Sequence, residues 1–141
     1  MGLQYELHSE VQLRVAYAWT GPGAGVTVGG ILDVQGYGSA MLVAGIWDHP
    51  VACSAIAAVL ESDDPGMSGA TLVPNERVLS NGYPTFTTVG GEYALRTGVL
   101  TEKRYLQCQI TRVGPRAMWM YGIWVLADPD VIPQADGIVS P

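Results

Sequence analysis

The chain has 141 residues, enough for one domain with its own core. Charged residues make up only 14%, and the net charge of -6 comes with no basic run, which argues against direct nucleic-acid binding and against attraction to an anionic membrane. No apolar run is long enough to span a bilayer, and the opening MGLQYELHSE has neither the basic start nor the apolar stretch of a secretory signal, so synthesis in the cytoplasm is expected.

In chain order, residues 1–10 read as a loose arm. Residues 11–19 alternate, with Val11, Leu13, Val15, Tyr17 and Trp19 against Gln12, Arg14, Ala16 and Ala18, which predicts a strand. The stretch 20–23 breaks it. Val26 and Val28 form a short run ended by Gly29-Gly30, and Ile31, Leu32 and Val34 lead into a turn at 35–38. Residues 40–47 predict a second strand, apolar on both sides and therefore internal. Residues 48–50 are a loop. Residues 51–61 fit two states equally: the alanines and Pro50 favour a helix, whereas Ile56, Ala58 and Leu60 alternating with Ala57 and Val59 favour a strand. A turn follows at 62–66. Residues 69–94 predict short strands and long loops, a flap on the scaffold, and 93–100 give another short run.

Residues 104–127 organise the rest. Leu106, Cys108 and Ile110 share one face, and Gln107, Gln109 and Thr111 share the other. Beyond a turn at Gly114-Pro115, Trp119, Tyr121, Ile123 and Val125 alternate with Met118, Met120, Trp124 and Leu126. This second run is apolar on both faces. The pair predicts a packed hairpin whose surplus apolar side meets another chain. Residues 128–141 read as an extended tail. The sum is an all-β, single-domain, jelly-roll-like β-sandwich over 11–127, between the arm and the tail.

Chemical groups are sparse. His8 and His49 belong to no metal or triad motif and read as exposed or locally bonded. Glu61, Asp63 and Asp64 are close enough to suggest a cation, but turn hydrogen bonding before Pro65 explains them more simply. The run 21–25 lacks the lysine and serine or threonine of a phosphate loop. Cys53 and Cys108 lack ligand spacing and read as buried free thiols. No catalytic residue, cofactor or metal is expected.

Three stretches resemble a known family. LDVQGYGSAMLV at 32–43 resembles the D-L-x-G-Y-x-S-A-x-x-V start of small structural proteins encoded among tailed-bacteriophage head genes. VLESDD at 59–64 is similar to their x-L-x-E-S-D-D strand end, and RYLQCQIT at 104–111 to their K-R-Y-V-R-x-x-x-T strand. The resemblance implies a non-catalytic virion protein, a β-sandwich that decorates and cements the capsid exterior as homotrimers on the major capsid protein lattice. It also implies that 51–61 is a strand. The sequence departs from the family at 65–69, where relatives carry a tryptophan, and in its apolar final run. Expected subunit or shell contacts are Trp47, Met118, Met120, Trp124, Arg112 and Arg116, with Trp119 and Trp124 also read as core. The alternatives are a carbohydrate-binding sandwich of a phage appendage, with an exposed aromatic platform around Trp47 or Tyr37, and other virion roles such as head-tail joining or a spike base. A small hydrolase, which needs two polar groups in one cleft, ranks below them.

Overall fold

The computed structural model of the chain describes residues 12–21, 24–47, 49–79, 82–87 and 93–129, without the side chains of 18–21 and 128–129. The expected arm, the tail beyond 129, the breaks at Pro22-Gly23 and Gly90-Gly91, and Asp48 lie outside these residues. The strands among them are β1 (Gln12–Gly21), β2 (Gly25–Asp33), β3 (Tyr37–Ile46), β4 (Ser54–Ser62), β5 (Thr71–Leu72), β6 (Thr85–Phe86), β7 (Tyr93–Leu100), β8 (Tyr105–Val113) and β9 (Met118–Pro129). A 3-10 turn, Asn75–Arg77, lies between β5 and β6.

The chain is an all-β single domain, with two antiparallel sheets arranged like a β-sandwich or jelly roll. The first sheet has the order β1-β9-β3-β7, and the second β2-β8-β4-β5 with β6 also paired to β4. Alternation sets the inward faces. Leu106, Cys108 and Ile110 of β8 point inward, as do Ala40, Leu42, Ala44 and Ile46 of β3. Phe86, Val99, Met120 and Trp124 fill the space between the sheets.

The expected hairpin of 104–127 does not form. β8 belongs to the second sheet and β9 to the first, so residues 114–117 carry the chain across the sandwich. Gly114 makes this passage possible. Its φ is +124°, and a β-carbon there would lie 2.6 Å from both the Ala52 carbonyl oxygen and Cys53 Sγ. β9 pairs instead with β1 on one side and β3 on the other.

Residues 51–61, ambiguous in sequence, form strand β4 over 54–62. It pairs with β8 along one edge and with β5 and β6 along the other. Pairing on both edges overrides the helical preference of its alanines. Gly29-Gly30 is a bulge inside β2 rather than a break, with the register shifting between Val28 and Ile31.

One end of the sandwich is closed by ion pairs. Arg104 donates from Nε to Asp33 Oδ1 (3.1 Å) and from Nη2 to Asp33 Oδ2 (2.9 Å). Lys103 Nζ donates to Asp63 Oδ2 at 3.1 Å, and the Arg104 backbone N–H to Asp63 Oδ1 at 3.2 Å. Glu61 is buried, and Arg77 donates to it through both Nη atoms. Cys53 and Cys108 are free and buried, and burial pushes the Cys108 thiol up to about 12.

Candidate functional site

The outer face of the first sheet holds a group of exposed apolar side chains that includes two tryptophans. On β9, Met118, Met120, Trp124 and Leu126 go to the core, so Trp119, Tyr121, Ile123 and Val125 face outward. Register then places neighbours in rows. Val125 lies between Leu13 and Met41, and Ile123 between Val15 and Val43. Trp119 lies beside Trp47, whose backbone N–H donates to the Trp119 carbonyl at 3.0 Å.

The upper part of this face is aromatic. Trp47 is 52% exposed and Trp119 53%, Trp119 near the start of β9 and Trp47 just past the end of β3, two interior strands of the sheet. The Tyr121 ring packs against Trp47 with centroids 5.3 Å apart and planes tilted by 45°. Gly45, between them in the sheet, leaves the space that the Tyr121 ring occupies. The lower part is aliphatic, with Leu13 56% and Val15 74% exposed. An apolar area of this kind on one face marks a binding surface more often than a plain exterior.

The expected contact residues divide. Trp47 and Arg116 are exposed. Met118, Met120 and Trp124 are at most 1% exposed and enclosed by the chain's own core, so they offer no side chain to a partner. The reason is parity: the inward face of β9 meets the inward faces of the second sheet, and the surplus side is the one carrying Trp119 and Tyr121. Arg112 is also buried, on the inward face of β8, where Nη2 donates to Thr27 Oγ1 at 2.9 Å. Burial holds its pKa below the usual arginine range. Tyr37 packs against the core and does not form a platform.

Trp119 corrects its reading as core, and Tyr121 was not expected to matter. The signal for Trp119 was present. It stands an odd number of positions from Trp124, so a strand must send the two indoles to opposite faces.

The polar candidates are structural. Asp64 Oδ2 accepts from the backbone N–H groups of Gly66 (2.8 Å) and Ser68 (3.1 Å), the expected turn bonding. His49 is 1% exposed, and its Nε2 lies 3.1 Å from the Phe86 carbonyl oxygen, so it donates there from within the core. Among the described residues no three His, Cys, Asp or Glu side chains are placed to hold a metal ion, and no catalytic cluster is assembled.

No family model matches the chain, and no curated protein does. Among solved structures, it is similar to the N-terminal endo-1,4-beta-D-xylanase 10B of Clostridium thermocellum, CBM22-1-GH10 modules complexed with xylohexaose. Identity is 6% and the TM-score 0.42, over 94% of this chain and 28% of that one. A likeness of that size decides nothing about a ligand. The findings nevertheless overturn the resemblance to phage head proteins and the capsid-decoration reading drawn from it. No family model and no curated protein carries that resemblance. The three motifs have a local explanation: 32–43, 59–64 and 104–111 meet at the end closed by Asp33, Asp63 and Arg104.

Proposed function

We propose that the chain is a non-catalytic carbohydrate-binding β-sandwich module that takes a glycan on the patch formed by Trp47, Trp119 and Tyr121. One observation carries this reading: two indoles on adjacent strands lie half in water, side by side, on a rigid sheet. Leaving each half exposed forgoes about 3 kcal/mol of burial. A ligand with a flat apolar face recovers that energy. The C–H face of a pyranose ring has this character, and its hydroxyl rim stays in solvent. The scaffold positions the rings in advance, so little conformational entropy is lost on binding.

Affinity electrophoresis and titration calorimetry against β-1,4-xylan, β-glucan, mannan and galactan test the reading. Saturable binding to at least one polymer is expected, weakened about tenfold or more by W47A and by W119A, with the thermal midpoint of each variant nearly unchanged. Binding to none of the polymers, or binding indifferent to both substitutions, overturns it.

A further inference from the structure

A groove of about 620 Å³ opens beside the aromatic patch, between the outer face of the first sheet and residues 82–85. Met41, Val43, Ala94 and Arg96 line it from the first sheet, and Tyr83 and Thr85 from the 82–85 segment. The 82–85 segment is held by hydrogen bonds to the second sheet and its neighbouring loop. The Tyr83 hydroxyl donates to the Val73 carbonyl at 2.7 Å, and the Ala57 backbone N–H donates to the Pro84 carbonyl at 2.9 Å.

Arg96 stands opposite Val43 in the register, and Val43 opposite Ile123, so the guanidinium shares the outer face with Tyr121 and Trp47. By strand spacing and rise, the Arg96 and Tyr121 backbones are roughly 12 Å apart, within reach of one short oligosaccharide. Arg77 and Arg104 are bound to Glu61 and Asp33, and Lys103 to Asp63. Arg96 is exposed and, among the described residues, has no carboxylate partner.

We propose that this groove is a subsite for the carboxylate of a hexuronate branch, on a glycan whose neutral backbone lies against Trp47 and Trp119. The inference rests on the glycan reading above and adds a substrate class to it. A guanidinium presents paired N–H groups that match a planar carboxylate. The apolar side chains of Met41, Val43 and Ala94 in the lining suit the ring that carries the carboxylate. A volume of this size holds a small ligand. The net charge of -6 disfavours a continuous polyanion, so the carboxylates must be sparse along a neutral chain.

The test is calorimetric titration of the full chain with glucuronoxylan and with the same polymer after carboxyl reduction. The acidic polymer is expected to bind about tenfold more tightly at low salt, the factor a charged hydrogen bond supplies. R96Q is expected to bring the two affinities together, and R96K to keep part of the difference. Equal binding of both polymers by the unaltered chain, with W47A weakening both, overturns the subsite and leaves the glycan reading standing. A preference that survives R96Q also overturns the subsite. Failure to bind these polymers or any other neutral backbone overturns both.

Discussion

The ring of Tyr121 lies over Gly45 so closely that a β-carbon at Gly45 would stand 2.1 Å from Tyr121 Cζ. The same sheet repeats the arrangement on its other face, where a β-carbon at Gly122 would stand 2.3 Å from Tyr17 Cε1. The two contacts differ in what surrounds the ring. Tyr121 is only partly buried, and the clash falls on the far end of its side chain. Tyr17 is buried, and burial lifts its phenol well above the usual range. G45A is therefore expected to change stability by less than about 1 kcal/mol while displacing Tyr121 from Trp47. Tryptophan fluorescence should shift and glycan affinity should fall. G122A is expected to cost about 1–3 kcal/mol through overpacking, read by urea unfolding.

Glu61 and Arg77 form a pair with side chains only 4% and 12% exposed. Removing one partner leaves a buried charge without its counter-ion. R77M is expected to cost about 3–5 kcal/mol, and the E61Q/R77M double variant distinctly less. Equilibrium unfolding of both variants checks this. Equal losses in the two would show that packing, not the orphaned carboxylate, sets the cost.

Acid should loosen the end closed by Arg104. Hydrogen bonding from Arg104, the largest cause, holds the Asp33 carboxyl below its ordinary 3.8. Hydrogen bonding from Lys103 does the same for Asp63, also below 3.8. Both folded values lie under the unfolded ones, so these contributions are fully present above about pH 4 and vanish as pH falls through the folded values. Both groups face solvent, which keeps the effect small. Stability measured from about pH 7 down to about pH 2 should decline in the acid range, and D33N should flatten part of that decline.

The thiols should be silent in the folded protein. Cys108 is fully buried and its thiol is pushed up to about 12, and Cys53 is 7% exposed. A thiol reagent at about pH 8 is expected to label neither until denaturant is added. Rapid labelling of Cys53 alone would show that the 114–117 crossing opens independently of the core.

Much of the fold was legible, because burial in a sandwich follows period two. The inward set of β8 read directly from residues 106–110, whereas β3, apolar on both sides, did not show which set turns inward. Neighbours did not read, because alternation assigns faces and says nothing of which strand lies alongside. That is why β8 and β9 suggested a hairpin although each pairs within a different sheet. On β9 both faces are apolar, and the side expected to make contacts, with Met118, Met120 and Trp124, is the one that turns inward. The choice depended on β1 and β3, which sit on either side of it. Of the candidate site, Trp47 was visible at a strand end. Tyr121 was not, since its position depends on a gap at Gly45 that is distant in sequence. Arg96 carried no local pattern, and only the register across β7 and β3 sets it beside the groove.

The strand at the middle of the first sheet, β9, is also the last of the nine to leave the ribosome. Until it arrives, β1 and β3 have an empty lane between them, and the second sheet lacks Met118, Met120 and Trp124 as its lid. Closure joins segments about a hundred residues apart, which slows folding and lengthens the time that sticky edges stand open. Nascent chains stalled before residue 118 should therefore require chaperone holding.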